Sequence, residues 1–217
     1  MNDLAYTLVA VCQKVEVKGF VAATDGNISV RLPNGNILAT PSQLNKGMVT
    51  IEDLIEISLD GTYRTGRRNV STEIDMHLFI YRSRTDINAV VHCHPPYATG
   101  FAAANMPLDK KVFPEAVVGF GTVPLAPYAT PSTSEVADSL KNYVDRYQAV
   151  LLANHGVVTY GNDLWDAYFK MEKVEQIAQT TFVAQGLGGP RELSRDEIEK
   201  LKRISMQQYG KKISEDI

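Results

Sequence analysis

Three of the four histidines in this 217-residue sequence occupy similar positions at the ends of apolar runs. His92 and His94 follow the run at residues 89–91, and His155 follows the run at residues 149–153. Because residues two apart in a strand point to the same face, His92 and His94 should converge while Cys93 points away. If the two strands are neighbours, His155 joins them to give three neutral imidazoles and an open position, the arrangement of catalytic zinc sites. Spacing alone does not decide between this metal site and ordinary hydrogen-bonded histidines at strand ends.

Glu73 is the acidic residue best placed to act beside such a metal. It lies in the first turn of a helix that we predict to begin at Ser71. Its carboxylate either complements the helix dipole or serves as a general base, since carbon-acid chemistry needs a proton acceptor near the reacting carbon. His77 lies four residues further on the same helix face, and of its two possible roles, orienting Glu73 or being an ordinary polar residue, we favour the first.

Three short polar segments could bind a phosphate group. Glycine-rich turns, hydroxyls and helix N-termini present N–H and O–H groups to phosphate with little formal charge, although the same residues also serve as turn and capping residues. Walker and GxGxxG motifs do not occur in the sequence, so nucleotide cofactors are not indicated. The segments are Asp25-Gly26-Asn27 with Ser29, Thr40-Pro41-Ser42, and Ser71-Thr72.

The elements that must position these residues alternate between helical and strand patterns. We predict one α/β domain over residues 1–217 with a mostly antiparallel sheet. The predicted elements are a helix over 4–19, a hairpin turning at 33–35, a strand over 54–59, a helix from 71, a buried strand over 89–92, a helix over 97–104, β-like chain over 121–133, a helix to about 143 behind a capping box at 132–135, strands over 149–153 and 157–160, a helix over 163–185, and a helix to about Tyr209 behind a capping box of Ser194 and Glu197.

The composition is that of a globular protein, with 44% hydrophobic and 22% charged residues. A formal net charge of −3 gives no reason to expect nucleic acid or an anionic membrane as a partner. The first 20 residues lack the pattern of a signal peptide, and no apolar run approaches the roughly 18 residues of a membrane helix. Two cysteines are too few for a disulfide framework, so we expect a cytoplasmic protein.

Six dispersed motifs resemble, in order, those of the class II aldolase/adducin family. They are DGNISVR, ATPS, STEIDMH, AVVHCHP, PLAPYAT and LLANHG, and the resemblance extends over residues 4–185. It implies an α/β fold whose central, largely antiparallel sheet is flanked by helices. It also implies a homotetramer whose active sites lie between subunits.

The resemblance also implies roles for individual residues. His92, His94 and His155 match the zinc ligands of the family, although another divalent transition metal is possible. Glu73 matches the catalytic glutamate, which can also approach the metal when no substrate is bound. The residues that match phosphate contacts are Asn27, Ser42, Ser71 and Thr72.

The sequence departs from the family pattern at two places. Gln43 replaces a glycine of the phosphate-binding loop and lacks the freedom of backbone angle that glycine has. Phe113 stands where the family has a tyrosine that donates a proton from an adjoining subunit. Glu115 or Tyr209 could take over that role.

The resemblance therefore implies a zinc-dependent aldolase. We expect it to cleave a ketose 1-phosphate similar to L-fuculose 1-phosphate into dihydroxyacetone phosphate and an aldehyde. Relatives with the same metal site act as pentulose-5-phosphate 4-epimerases, methylthioribulose-1-phosphate dehydratases or decarboxylases, and these stay open as alternatives. A non-catalytic adducin-like scaffold is the alternative from another class, and in a scaffold the metal ligands should be eroded.

Overall fold

An eight-stranded sheet runs through the computed structural model, which describes residues 2–119 and 121–209. Its spatial order is β4-β3-β2-β1-β5-β8-β7-β6, and all neighbours are antiparallel except β6 and β7. The prediction of an α/β fold with a mostly antiparallel sheet is thereby confirmed. The strands are β1 (Asn27–Arg31), β2 (Ile37–Ala39), β3 (Ile55–Ile57), β4 (Tyr63–Thr65), β5 (Ala89–Cys93), β6 (Leu125–Ala126), β7 (Ala149–Leu152) and β8 (Gly156–Gly161).

Helices flank the sheet on both faces, as the family resemblance implies. None of the described helices is long and apolar enough to span a membrane. The helices are α1 (Asn2–Val17), α2 (Ile74–Ser83), α3 (Pro96–Ala103), α4 (Pro114–Gly119), α5 (Ser134–Ser139), α6 (Leu164–Gly186) and α7 (Arg195–Tyr209), with short 3₁₀ turns at Lys46–Met48 and Ile51–Asp53.

Two apolar cores, one on each face of the sheet, hold these helices in place. Neighbouring residues of a strand point to opposite faces, so Val91 packs in the core beneath α1, α3 and α6 while Val90 packs in the core beneath α2 and α5. Both valines are fully buried. Burial on both faces explains why the central strands have unbroken apolar sequences rather than alternating ones.

The candidate residues lie together at one end of the central strands. His92 pairs with Asn27 of β1 on one side and with Val158 of β8 on the other. His155 lies in the tight turn between β7 and β8. The strand before His155 is therefore not a neighbour of β5, because β8 lies between them, and the turn into β8 is what carries His155 to the site.

The chain from residue 121 to residue 143 differs most from the prediction. Only Leu125–Ala126 forms a strand in the region expected to be β-like, and α5 ends at Ser139 rather than near residue 143. The predicted capping box at 132–135 is wrong. Thr133 is the N-cap, and its side chain accepts a hydrogen bond from the Glu135 amide.

The second predicted capping box is confirmed. The Ser194 hydroxyl accepts from the Glu197 amide at 3.3 Å, and the Glu197 carboxylate accepts from the Ser194 amide at 2.7 Å. These reciprocal bonds satisfy two N–H groups at the start of α7, which contacts α4.

Candidate metal centre

Three imidazoles converge where β5 ends and β8 begins. His92 Nε2 lies 3.2 Å from His94 Nε2, and the rings of His92 and His155 have centroids 4.7 Å apart. One ring nitrogen from each of the three histidines lies within 4.8 Å of the other two. Cys93 points away into the apolar core, as the two-residue period of a strand requires. The three nitrogens therefore form a group that could hold a metal ion.

Hydrogen bonds and burial orient these rings. The Nδ1–H of His92 donates to the carbonyl of Val157 at 2.9 Å, which turns Nε2 toward the other histidines. Burial, together with neighbouring His92 and His155, lowers the pKa of His94 to about 4. Asp25 Oδ2 lies 3.6 Å from Nδ1 of the same ring.

Glu73 brings a carboxylate to the same point. Its Oε2 lies 3.3 Å from His92 Nε2, and its Oε1 lies 3.1 Å from His155 Nε2. Burial opposes ionisation, but the electrostatic interaction with His92 and His155 outweighs it and holds the pKa of Glu73 well below its usual value. Oε1 is buried, and its contact with His155 lacks the angles of a hydrogen bond.

These distances fit a tetrahedral metal ion. Ligand atoms bound at about 2.0–2.1 Å in a tetrahedron lie about 3.3–3.4 Å apart. His92 Nε2 and His94 Nε2, 3.2 Å apart, have about that separation, and Glu73 places Oε2 3.3 Å from His92 Nε2 and Oε1 3.1 Å from His155 Nε2. A buried carboxylate oxygen without a hydrogen-bond partner also needs a cation or donor to balance it. The residues present therefore suit a divalent ion held by three nitrogens and one oxygen.

Asn27 and His77 extend the site behind Glu73. Asn27 Nδ2 donates to Glu73 Oε2 at 2.9 Å, and His77 Nε2 lies 2.5 Å from Asn27 Oδ1. His77 thus contacts Asn27, and only through Asn27 does it reach Glu73. Burial and, to a lesser extent, nearby His92 lower the pKa of His77 to about 3, so the ring is neutral at pH 7.

Two polar loops meet beside the start of α2. The Ser42 amide donates to the Asn69 carbonyl at 2.9 Å, which brings the loop after β2 against the segment that leads into Ser71 and Thr72. Gln43 adopts φ +56°, so the loop has the left-handed backbone that a glycine would favour even though glycine is absent. The departure at Gln43 therefore changes the side chain while the left-handed turn is kept.

A cavity of about 470 Å³ lies between these loops. Ser42, Gln43 and Thr72 line it, and so do Arg67 and Arg68. Arg68 pairs with Asp53, whose Oδ1 lies 2.6 Å from Arg68 Nε.

The other two predicted phosphate contacts lie on the side of Glu73. Asn27 and Ser71 are absent from the described lining of that cavity. Asn27 donates to the Glu73 carboxylate, and the Ser71 hydroxyl accepts from the Glu73 amide at 3.3 Å. The Thr72 hydroxyl lies 2.7 Å from that of Ser132.

Of the two candidates for a second acid/base, Glu115 lies apart from the histidines of its own chain. Glu115 and Phe113 line a separate cavity of about 230 Å³ beside α6. Tyr209 is the last residue of α7, and its side chain lies outside what the structure describes.

Several contacts at the site have no signal in the local sequence. Arg67 has the type of an ordinary surface arginine, and only its nearness to a predicted phosphate segment could indicate its position. The contact of Thr72 with Ser132 joins residues 60 positions apart, which no local pattern reveals. Asp25 belongs to a predicted phosphate-binding segment, and its approach to His94 depends on the fold.

Comparisons with known proteins agree with this geometry. The family described as Class II Aldolase and Adducin N-terminal domain matches residues 6–182. The chain is 37% identical over 205 residues to 5-deoxy-D-ribulose 1-phosphate aldolase of Bacillus thuringiensis, which covers 94% of this chain and 95% of that one. It is 35% identical over 189 residues to 3-oxo-tetronate 4-phosphate decarboxylase of Pectobacterium atrosepticum, with 85% of each chain covered. A solved L-fuculose 1-phosphate aldolase superposes with a TM-score of 0.87 at 30% identity, covering 94% and 96% of the two chains.

Proposed function

The chain belongs to the class II aldolase and adducin family and is a metal-dependent lyase, and we propose that it is a zinc-dependent aldolase acting on a ketose 1-phosphate. The proposed reaction breaks the C3–C4 bond and releases dihydroxyacetone phosphate and a short aldehyde. The observation that carries the proposal is the convergence of His92, His94 and His155 on the Glu73 carboxylate, whose Oε1 is buried without a hydrogen bond.

His92, His94 and His155 would hold the metal, and Glu73 would be its fourth ligand only when no substrate is bound. Three imidazole nitrogens with a carboxylate oxygen suit zinc, and other divalent transition metals bind the same donors. When bound, the ion supplies a Lewis acid for the carbonyl oxygen of the substrate. The burial of His92 and its hydrogen bond to the Val157 carbonyl would hold this ligand in place.

Glu73 would move the proton that the carbon chemistry requires. A base removes the proton of the C4 hydroxyl, the electron pair of that O–H bond forms the aldehyde carbonyl, and the C3–C4 pair passes to the C2 oxygen. Glu73, after taking up a proton from water, then delivers it to C3 of the three-carbon fragment, which restores its ketone, and the base returns the proton of the C4 hydroxyl to water. In the direction of synthesis the same carboxylate removes that proton.

The cavity beside α2 would hold the phosphate. Ser42 and Thr72 offer hydroxyls, Arg67 offers a guanidinium, and the strained Gln43 keeps the loop in a left-handed turn. Arg68 is paired with Asp53, whereas none of the described ion pairs involves Arg67. The Arg67 guanidinium is therefore the one that we propose for phosphate binding. Asn27 and Ser71, which contact Glu73, would bind phosphate oxygens nearest the metal.

The base at the C4 hydroxyl would come from another subunit. We propose a homotetramer in which Glu115 or Tyr209 reaches the site of its neighbour, because Phe113 cannot exchange a proton and Glu115 lies apart from the histidines of its own chain. The chain would be one domain over residues 1–217. A cytoplasmic location fits a substrate whose phosphate group cannot cross a bilayer unaided.

Decarboxylation is the alternative with a specific observation behind it, namely the similarity to 3-oxo-tetronate 4-phosphate decarboxylase. Loss of carbon dioxide and loss of an aldehyde both leave an electron pair beside a carbonyl, so the same ligands could serve either reaction. The epimerase and dehydratase reactions use a similar site. The scaffold alternative is disfavoured, because the three histidines and Glu73 are present and brought together.

Product analysis tests the proposal. The zinc-loaded protein is incubated separately with 5-deoxy-D-ribulose 1-phosphate, L-fuculose 1-phosphate, 3-oxo-tetronate 4-phosphate, L-ribulose 5-phosphate and methylthioribulose 1-phosphate. We expect dihydroxyacetone phosphate from one or both ketose 1-phosphates, detected by coupled reduction with NADH. Carbon dioxide from the tetronate alone, an epimerised pentulose alone, or water loss from methylthioribulose 1-phosphate alone would overturn the aldolase in favour of that alternative.

The role of Glu73 is tested separately. Glu73→Gln removes the acid/base function and should lower kcat by about 10²–10⁴-fold, with metal content measured on the same sample. Glu199→Gln on the exposed face of α7 is the matched control and should retain full turnover. A Glu73→Gln protein with zinc and full turnover would remove Glu73 from the mechanism.

A further inference from the structure

A chain of buried hydrogen bonds leads away from the candidate metal centre into the core. Beyond the contacts of Asn27 with Glu73 and His77, the Ser29 hydroxyl lies 2.6 Å from His77 Nδ1 and 2.9 Å from the Tyr81 hydroxyl. Ser29, His77 and Tyr81 are each at most 1% exposed to solvent. Among the described hydrogen bonds, none joins Ser29, His77 or Tyr81 directly to the histidine ligands, so their role must be exerted through Asn27.

The donor and acceptor of every hydrogen bond in this chain follow from the orientation of the Asn27 amide. Asn27 turns its Nδ2 toward Glu73 Oε2, at 2.9 Å, and its Oδ1 toward His77, at 2.5 Å. His77 must then donate from Nε2, and because a neutral imidazole carries one proton its Nδ1 is an acceptor. The Ser29 hydroxyl therefore donates to Nδ1. Its oxygen is left to accept from the Tyr81 hydroxyl.

We propose that Tyr81, Ser29 and His77 are positioning residues that fix the orientation of the Asn27 amide toward the metal site. This inference rests on the proposed function, since it assigns a purpose to the amide at that site. A flipped Asn27 would turn its carbonyl oxygen to the Glu73 carboxylate and its NH₂ to the N–H of His77. Both contacts would be repulsive, and His77 could relieve its own only by changing tautomer against the Ser29 hydroxyl.

The fixed amide has two consequences for the site. One N–H of Asn27 holds Glu73 Oε2, which leaves Oε1 directed at His155 as the oxygen available to a metal ion. The second N–H of Asn27 Nδ2 remains for an anionic oxygen of the substrate. Asn27 would thus link the position of the Glu73 carboxylate to phosphate binding. His77, by holding Asn27 Oδ1, keeps both N–H groups of Asn27 Nδ2 directed toward the metal site.

The tautomer of His77 gives a test that needs neither metal nor substrate. In ¹⁵N-labelled metal-free protein at pH 7, the ring nitrogen shifts and their couplings to the ring protons identify which nitrogen carries the proton. The His77 signals are assigned by their loss in His77→Gln. We expect the Nε2–H form, and a ring protonated at Nδ1 would overturn the proposal.

Substitutions at His77 test the effect on the metal site. His77→Leu removes the donor to Asn27, and His77→Gln keeps an N–H donor of similar reach. We expect His77→Leu to weaken Zn²⁺ affinity and kcat/KM by about 10–100-fold, the usual cost of losing a residue that orients a ligand. His77→Gln should stay within about threefold of the unsubstituted protein, since the hydrogen bond to Asn27 is retained.

Matched tyrosine substitutions separate positioning from general destabilisation. Tyr81→Phe and Tyr160→Phe each remove one buried hydroxyl, but the Tyr160 hydroxyl contacts only the Val144 carbonyl, at 3.4 Å. We expect Tyr81→Phe to weaken Zn²⁺ affinity by about threefold, reflecting one distant hydrogen bond, and Tyr160→Phe to leave it unchanged. Equal Zn²⁺ affinity for His77→Leu, His77→Gln and the unsubstituted protein would show a purely structural role.

The two proposals can fail separately. If no sugar phosphate is cleaved, Zn²⁺ competition with a chromogenic chelator and the His77 tautomer still decide whether the chain positions Asn27. If Zn²⁺ does not bind at all, the proposed function fails and the tautomer alone decides the inference. If cleavage occurs but His77→Leu retains full affinity and turnover, the positioning proposal is overturned and the aldolase stands.

Discussion

Gly156 offers a sharp test of the metal centre because it lies against two of the histidines. It is the first residue of β8 and follows His155 directly. A Cβ atom added there would lie 2.5 Å from His94 Cδ2, 2.7 Å from the Cys93 carbonyl oxygen and 3.4 Å from His92 Cε1. Its backbone lies in a strand, so alanine would be excluded by space rather than by backbone angle.

The size of the effect follows from these distances. Carbon atoms pack best about 3.5–4.0 Å apart, so the His94 ring must retreat by about 1 Å to accommodate the new methyl group. The Cys93 carbonyl cannot retreat freely, because β5 and β8 are paired at Cys93 and Val157. Metal ligands tolerate displacements of about 0.2 Å. We therefore expect Gly156→Ala to weaken Zn²⁺ binding by at least about 100-fold and to cost about 1–3 kcal/mol in free energy of unfolding.

Chelator competition and denaturant unfolding measure these two quantities on the same preparation. Gly100→Ala is the matched control, because Gly100 lies in α3 and nothing lies within 4 Å of its added Cβ. That control should bind Zn²⁺ normally and be more stable by about 0.5–1 kcal/mol, since alanine favours a helix. A folded Gly156→Ala protein that bound Zn²⁺ within threefold of the unsubstituted protein would refute the geometry described for the three histidines.

Four further outcomes follow from the same site. Gln43→Val, a β-branched residue at φ +56°, should lower the free energy of unfolding by about 1–3 kcal/mol in urea, whereas Gln43→Gly should change it by less than about 1 kcal/mol. Lys46→Met removes the buried ammonium that donates to the Thr24 and Leu44 carbonyls at 3.1 and 2.7 Å, so stability should fall by about 1–3 kcal/mol, measured by urea unfolding. Arg67→Ala should raise KM for a phosphorylated substrate about threefold to tenfold at nearly constant kcat, and an unchanged KM would remove Arg67 from phosphate binding. Treatment with EDTA should lower the melting temperature, and Zn²⁺ at about 1,000 times its Kd should restore about 4 kcal/mol of stability.

The sequence predicts the central sheet well because its signals there are local. The runs that form β5, β7 and β8 are mostly apolar, and every residue of those strands is buried. The hairpin of β1 and β2 follows from the turn at residues 33–35. By contrast, β4 is exposed along its whole length and carries no apolar pattern that could reveal it.

The errors occur where distant contacts override local preference. Serine is a good capping residue, but Ser132 adopts φ +63° and its hydroxyl contacts that of Thr72, a residue distant in the sequence. Thr133 then caps α5 instead. The convergence of His92 with His94 depends only on the period of a strand and could be predicted, whereas the arrival of His155 depends on β8 lying beside β5.

Glu73 shows how the structure decides between two chemical interpretations of one residue. The sequence allowed its carboxylate either to stabilise the first turn of a helix or to act at a metal. The helix begins at Ile74, and Glu73 is the N-cap residue, yet its side chain makes no capping hydrogen bond. The hydroxyl of Ser71 accepts from the Glu73 amide instead, so the carboxylate is not needed at the helix end. It turns toward His92 and His155, where one oxygen is buried without a hydrogen bond. A carboxylate that only capped a helix would be expected to remain exposed to water. The buried position of Glu73 is better explained by the proposed metal ion and substrate.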